Sequence, residues 1–124
     1  MNELESFFSH YSDRYMASDV DAVAAMYEAP ALAVREGRVI HLADETALHE
    51  HLAVLMDAYS RAGAARAEIA ALHVDQLGSH AANATVNWRV LGADGQLVRD
   101  FRTTYFMFRD DETWRIRTYT NHDE

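Results

Sequence analysis

The hydrophobic period of this chain changes once, near residue 64. Before that point apolar residues recur every three or four positions, which is typical of an amphipathic helix. After it they alternate with polar residues, which is typical of a half-buried strand. The 124 residues are enough for one hydrophobic core but not for two. The order of the two patterns predicts a single α+β domain over residues 1–124, with helices on one face of an antiparallel sheet.

Three helices are expected in the first half of the chain. The first covers residues 2–17, where apolar positions recur at helical spacing. The second starts at Ser18, whose hydroxyl can cap it, and stops at Pro30. The third starts at Asp44, a favourable N-cap residue, and ends at Gly63. Its apolar stripe consists of Leu48, His51, Leu52, Leu55 and Tyr59, with Met56 at the margin.

The remaining segments are expected to form strands. Two short ones flank a Glu-Gly turn and predict a small hairpin, and four longer ones are separated by turn sequences. The predicted strands cover residues 31–35, 38–42, 67–77, 81–91, 96–109 and 113–121.

The register of the last two hairpins decides which residues face the helices. If neither hairpin is bulged, Trp88 lies opposite Asp100, and Asp100 lies opposite His122 on its other side. One extra residue near Gly92 or Arg99 would exchange the two faces. The apolar set predicted to meet the helices is Val86, Trp88, Phe106, Phe108, Trp114 and Ile116.

In this register a carboxylate, a guanidinium and an imidazole come together on the inner face. Asp100 and His122 can form an acid–base dyad in which the carboxylate orients the imidazole. Arg102 can hold a substrate anion, because its planar fork suits such groups. The alternative is a structural salt bridge at the end of the sheet, which is a common role of such groups. The trio is therefore a candidate catalytic site with a structural alternative.

A cavity between the third helix and the inner face would have aromatic walls. Such walls favour a small apolar or aromatic ligand with a polar end. For His51 the alternative is a hydrogen-bonded core histidine without a catalytic role. The candidate ligand-binding residues are Trp88, Tyr15, His51, Met56, Tyr59, Thr104 and Thr118.

The opposite sheet face is expected to carry enough apolar surface to be buried against another protein chain. In the unbulged register it holds Phe101, Tyr105, Met107 and Tyr119 among several arginines. A mixed aromatic and arginine surface is typical of a protein interface. We therefore expect a homodimer formed through the outer sheet face.

Composition excludes several classes of protein. A net charge of −9 argues against nucleic-acid binding, which needs a concentrated cationic surface. The absence of cysteine excludes disulfides and thiolate chemistry. His49 and His51 diverge on a helix, and we expect neither a metal nor a cofactor. The acidic N-terminus and the lack of a long apolar run predict a cytoplasmic protein without a membrane span. The many alanines, with no lysine, suggest a bacterial gene rich in G and C.

The segments "AAMYEAPALAV" and "FRTTYFMFRDDETWRIRTY", with the order of the predicted elements, resemble the nuclear transport factor 2-like (NTF2-like) superfamily and its SnoaL-like branch. The resemblance covers essentially the whole chain, and its Arg-x-Thr and Trp-x-Ile motifs are Arg102, Thr104, Trp114 and Ile116. It implies three helices packed on a strongly curved mixed or antiparallel sheet that forms a cone with an internal pocket. Homodimers through the outer sheet face are common in such families.

The resemblance leaves function open between two classes. Its enzymes are cofactor-independent isomerases, cyclases and dehydratases that usually place an Asp or His in the pocket, and here Asp100 and His122 are available. Many SnoaL-like sequences have a histidine where this chain has Thr120, with His122 two residues later. The alternative is a non-enzymatic, dimeric ligand-binding or protein-association module.

Overall fold

A computed structural model describes residues 3–122, and over that range it has three helices and six strands. The predicted α+β class is confirmed. No helix in residues 3–122 is long and apolar enough to cross a membrane. The elements are α1 (Glu3–Met16), α2 (Val20–Ala24), β1 (Tyr27–Arg35), β2 (Arg38–Leu42), α3 (Glu45–Arg61), β3 (Ala64–Leu77), β4 (Ala81–Gly92), β5 (Leu97–Phe108) and β6 (Arg115–Asn121).

Helix α3 begins and ends where its sequence signals predict. The Asp44 carboxylate accepts a hydrogen bond of 2.9 Å from the Ala47 N–H, which is the usual N-cap contact. Gly63 follows the last turn with a φ of 84°, a conformation that glycine adopts without steric cost. Leu48, Leu52 and Met56 are buried on the face that meets the sheet.

The second helix is shorter than predicted. Asp19, and not Ser18, caps α2, because its carboxylate accepts from the Ala22 N–H at 3.1 Å. The helix ends at Ala24, and Tyr27 already belongs to β1. Pro30 lies inside that strand instead of stopping the helix, in the stretch between Tyr27 and Leu32 where the pairing with β6 is irregular. Proline is tolerated in such a stretch, since no ladder hydrogen bond is lost there.

The six strands form one mixed sheet in the order β2-β1-β6-β5-β4-β3. Strands β1 and β6 are parallel, and every other neighbouring pair is antiparallel. The helices contact one face of this sheet, which we call the inner face, and the other is the outer face.

Two bulges shift the strand register, one in β5 and one in β6. Val90 pairs with Arg99 but Leu91 pairs with Leu97, so Val98 is an extra residue. Phe106 pairs with Thr118 but Met107 pairs with Ile116, so an extra residue also lies in β6. The extra residue in β5 moves every side chain of that strand to the face opposite the predicted one, because side chains alternate with a period of two.

The unbulged register is therefore wrong for β5. Trp88 lies opposite Phe101 instead of Asp100, and Arg89 lies opposite Asp100. The inner position of Val86, Trp88, Trp114 and Ile116 is confirmed by their burial in the core, whereas Phe106 and Phe108 lie on the outer face. The residues expected at an outer interface are instead inside: Tyr105, Met107 and Tyr119 are core residues, and Phe101 packs against them.

Aromatic side chains connect α1 to the sheet. The Phe8 ring lies 4.7 Å from the Tyr105 ring and 6.3 Å from the Trp88 ring, measured between centroids. Tyr11 stacks on Trp88 at 6.2 Å. Such pairs stabilise a core beyond the area that they bury. The backbone of α1 lies nearest β3, and these rings connect it to β4 and β5.

The register predicts unequal effects of two adjacent substitutions in β5. Met107→Ala removes a side chain that is 0% exposed and should lower the free energy of unfolding by about 2–5 kcal/mol. Phe108→Ala truncates an outer side chain that is 38% exposed and should cost well under half as much in the monomer. Urea unfolding of both variants measures the difference. A larger cost for Phe108→Ala would contradict the bulged register.

Candidate functional site

A cavity of about 60 Å³ lies between α1, α3 and the inner sheet face, and it is partly open to solvent. Its walls are mostly aromatic and aliphatic, and its polar groups are hydroxyls, one amide and two guanidinium groups. The lining includes Tyr11, Tyr15, Tyr27, Arg35, Tyr59, Trp88, Arg99, Phe101, Thr103, Tyr105, Tyr119 and Asn121. This composition suits a small molecule, or one end of a larger one.

The deep wall of the cavity consists of aromatic side chains whose polar groups are hydrogen-bonded to one another. The Trp88 indole N–H donates to the Tyr105 hydroxyl at 2.9 Å, and the hydroxyls of Tyr11 and Tyr27 lie 2.8 Å apart. Burial raises the pKa of Tyr11, Tyr27 and Tyr105. These groups therefore stay neutral, and their mutual hydrogen bonds hold the rings in place.

Tyr119 connects the sheet to α3 at one side of the cavity. Its hydroxyl oxygen lies 2.6 Å from His51 Nε2 on α3, and Arg35 Nη1 on β1 donates to the same oxygen at 3.3 Å. The Tyr119 side chain is buried, with 4% of its surface exposed. Burial raises the pKa of Tyr119, and the hydrogen bond from Arg35 opposes that rise. Burial and then the positive charge of Arg35 lower the pKa of His51.

Two arginines line the cavity, Arg35 and Arg99, and Glu36, the chain neighbour of Arg35, is an acidic residue that acts on Arg35 electrostatically. Arg99 donates to the Tyr59 hydroxyl at 2.8 Å and lies over the Phe101 ring, with 4.1 Å from Cζ to the ring centroid. Within residues 3–122, neither Arg35 nor Arg99 forms a salt bridge with a carboxylate. No Asp or Glu lines the cavity in the described chain. The lining of the cavity therefore carries two positive charges in a protein whose net charge is −9.

Five of the seven predicted ligand-binding residues lie on the inner side of the sheet, in three different positions relative to the cavity. Trp88, Tyr15 and Tyr59 lie in the cavity wall. His51 is half-buried beside the cavity and contacts its wall through Tyr119. Met56 is a core residue and does not reach the cavity. Whether any of them binds a ligand stays a prediction.

The predicted catalytic trio does not face the cavity. Asp100 is exposed on the outer face, where the amide nitrogen of Asn87 donates to it at 2.9 Å. Arg102 pairs with Asn87 in the ladder and is exposed. His122 Nε2 lies 2.7 Å from the hydroxyl of Thr104. The inner placement of Asp100, Arg102 and His122 is therefore wrong, because the bulge in β5 reverses the faces of Asp100 and Arg102 and the bulge in β6 reverses that of His122.

The two threonines predicted to touch a ligand are also on the outer face. Thr104 Oγ1 lies 2.8 Å from Thr85 Oγ1, in a cross-strand pair that fills the centre of that face. Thr118 lines a shallow outer groove with Phe106 and Phe108. Their predicted inward orientation is wrong, for Thr104 because of the bulge in β5 and for Thr118 because of the bulge in β6.

Sequence reasoning did not identify Arg35, Arg99, Thr103 and Asn121 as cavity residues. Thr103 Oγ1 donates to the Asn121 side-chain oxygen at 2.9 Å across β5 and β6. The signal that could have found Thr103 and Arg99 is the odd-numbered row of β5, which also holds Phe101, Tyr105 and Met107. Arg35 gives no comparable signal, since it precedes a tight turn and looks only like the end of a hairpin strand.

Metal binding has no candidate site in the described part of the chain. No group of three or more His, Asp or Glu side chains within residues 3–122 is arranged to hold a metal ion.

The lowered pKa of His51 predicts a pH effect on stability. Unfolded histidine takes up a proton near pH 6.5, whereas folded His51 resists protonation until the pH is lower. The free energy of unfolding should therefore fall as the pH drops below about 6.5, since the unfolded chain binds the extra proton. Urea unfolding between about pH 7 and about pH 5.5 should show a steeper loss for the wild type than for His51→Gln. An NMR titration that places the His51 pKa above 6.5 would contradict this.

Solved structures with this fold are similar in shape and distant in sequence. Aln2 from a Streptomyces species has a TM-score of 0.75 and 19% identity, covering 97% of this chain and 87% of that one. An NTF2-like protein of unknown function from Shewanella oneidensis has a TM-score of 0.75 and 14% identity, covering 97% and 96%. An NTF2-like protein with a cystatin-like fold from Novosphingobium aromaticivorans has a TM-score of 0.75 and 15% identity, covering 96% and 78%. At such identities the likeness shows the fold alone.

Family membership rests on a match over nearly the whole chain. No curated protein sequence is similar enough to this chain to match it. A family model described as NTF2-like protein (DUF6841) matches residues 2–124. The predicted NTF2-like superfamily is thereby confirmed, and the SnoaL-like branch within it stays a prediction. The chain belongs to the NTF2-like family DUF6841.

Proposed function

We propose that this protein binds a small, flat, largely apolar anion in its inner cavity. The observation that carries the proposal is the pair Arg35 and Arg99, which line an aromatic cavity without a carboxylate partner in the described chain. Guanidinium groups that are not neutralised by the protein favour a negatively charged ligand, and carboxylates match their geometry. An aromatic carboxylate is the simplest ligand class that satisfies both features.

The cavity walls supply the apolar part of the recognition. Trp88, Tyr59 and Phe101 offer ring faces, and Tyr59 and Phe101 are stacked with their centroids 6.5 Å apart. Their polar atoms already have partners, as in the Tyr59–Arg99 contact. A bound ring would therefore displace water from apolar surface without leaving a polar group of these side chains unpaired.

A matched pair of ligands tests the proposed charge preference. Benzoate and benzyl alcohol have the same ring and differ in the negative charge, so benzoate should bind more tightly when both are measured by calorimetry. Arg99→Gln should weaken benzoate by about 1 kcal/mol, or about fivefold, because it removes one charge-assisted contact that is partly solvated. Its effect on benzyl alcohol should be much smaller.

Arg61→Gln is the matched control for this substitution. Arg61 is exposed on α3 and pairs with Asp57, away from the cavity lining. The Arg61→Gln substitution removes one positive charge, as Arg99→Gln does, so it measures the effect of net charge alone. Equal binding of benzoate and benzyl alcohol to the wild type would contradict the proposal.

A second function, self-association, is favoured by the outer face. Leu32 and Phe108 are 39% and 38% exposed there, and they share a shallow groove with Phe106, Pro30 and Thr118. We propose a homodimer through this face, with these residues in place of Phe101, Tyr105, Met107 and Tyr119. Arg117 also lines the groove, where it pairs with Glu28, and no carboxylate within residues 3–122 lines the groove itself, so two acidic copies can approach there. Such a dimer is compatible with an occupied or a vestigial cavity.

Charge placed in the groove tests the dimer. Phe108→Glu should convert the wild-type dimer to a monomer in sedimentation experiments, because two added carboxylates would face each other across a two-fold axis. Val54→Glu is the control, since Val54 is 69% exposed on α3, on the opposite side of the sheet. A wild-type protein that stays monomeric at high concentration would contradict the proposed interface.

A further inference from the structure

A hydrogen-bonded group of three side chains lies at one side of the cavity, and anion binding alone does not require it. Tyr119, His51 and Arg35 come from β6, α3 and β1, and they meet at a single hydroxyl oxygen. Tyr119 and Arg35 both line the cavity. Three separate elements therefore bring an acid–base pair and a cation to the place where the proposed ligand would lie.

The direction of these hydrogen bonds follows from the chemistry of the partners. Arginine has only donors, so the Tyr119 oxygen accepts from Arg35. The buried Tyr119 O–H then needs an acceptor, and His51 Nε2 at 2.6 Å is the acceptor that the structure supplies. Burial lowers the pKa of His51, which agrees with a neutral imidazole, and the hydrogen bond from Tyr119 then requires the tautomer with the proton on Nδ1. The Tyr119 oxygen keeps one lone pair for a group in the cavity.

We propose that Tyr119 and His51 form a proton-abstracting pair that enolises a bound aryl 2-oxo acid. The inference rests on the proposed function, because the carboxylate of this substrate class is the anion that Arg35 and Arg99 would hold. A 2-oxo acid adds to an aromatic carboxylate an acidic C–H next to a carbonyl, which is the kind of proton that a neutral base can remove.

The step balances without any co-reactant. The substrate C–H bond breaks and its proton bonds to the Tyr119 oxygen, while the Tyr119 O–H bond breaks and its proton bonds to His51 Nε2. The C–H electron pair becomes the enol carbon–carbon double bond, and the carbonyl π pair moves to oxygen. The resulting enolate is stabilised by the two arginines, and His51 becomes an imidazolium. Return of the proton to either face of the carbon, or to oxygen, completes a tautomerisation.

The two residues have different roles in this step. Tyr119 touches the reacting proton and is the catalytic residue. His51 acts through Tyr119 and is a positioning and proton-accepting residue. Burial keeps the pKa of Tyr119 above its ordinary value, so the two proton transfers should be concerted, without a free tyrosinate.

Deuterium exchange into phenylpyruvate tests the inference. In D₂O the wild type should speed the loss of the benzylic proton signal above the buffer rate, as followed by proton NMR. Tyr119→Phe and His51→Gln should each slow the catalysed exchange by about a hundredfold, the usual range for loss of a general base. His49→Gln is the control, because His49 lies on the same helix but pairs with Asp21 outside the cavity. It should exchange at the wild-type rate.

Calorimetry with phenylpyruvate separates this inference from the proposed function. Binding by the wild type, with exchange that both variants lose, supports both statements. Binding without exchange above the buffer rate overturns the proton-abstracting pair and leaves the anion site standing. Exchange that persists in Tyr119→Phe and His51→Gln also overturns the pair. If neither phenylpyruvate nor benzoate binds, both statements fail.

Discussion

The bulge at Val98 determines which side chains of β5 face the core and the cavity. Because it adds one residue to β5, the row Phe101, Thr103, Tyr105 and Met107 faces the helices instead of the row of Asp100 and Arg102. The Trp88–Tyr105 hydrogen bond exists only in this register. The bulge in β6 then keeps Ile116 and Tyr119 on the same side, although their numbers differ by three. The cavity contacts of Arg99, Thr103, Tyr105 and Tyr119 depend on these two irregularities.

The charge of the cavity lining is opposite in sign to the net charge of the protein. The protein is acidic, with a net charge of −9, yet the part of the cavity that the structure describes has two arginines and no acid. Desolvating a guanidinium costs free energy unless it finds partners, and here phenol hydroxyls partly fill that role. Phenols are neutral and leave the positive charge uncompensated. A negatively charged ligand would neutralise this charge, which is why we propose an anion as the ligand.

The sequence was sufficient for the class of the fold and for much of the core. Periodicity identified α1 and α3, and turn chemistry placed Asp44 and Gly63 at the ends of α3, because these signals are local. The faces of β5 were wrong, since Phe106 and Phe108 in one row look as apolar as Tyr105 and Met107 in the other. A bulge depends on the twist and closure of the whole sheet and leaves no residue signature of its own here. The cavity walls Tyr15, Tyr59 and Trp88 were identified, while Arg35 required the parallel pairing of β1 with β6.

The two faces of β5 and β6 are separated by the thickness of a single peptide layer. Thr103 and Tyr105 line the cavity, and their chain neighbours Thr104 and Phe106 lie in the outer face. A sheet strand is stiff along its length, so a displacement of the backbone at one residue is transmitted to the side chains on both sides. A contact on the outer face that flattens or bends the sheet would therefore change the shape of the cavity on the inner face. The proposed dimer interface and the proposed binding cavity would therefore share one wall, and a substitution in that wall would alter both.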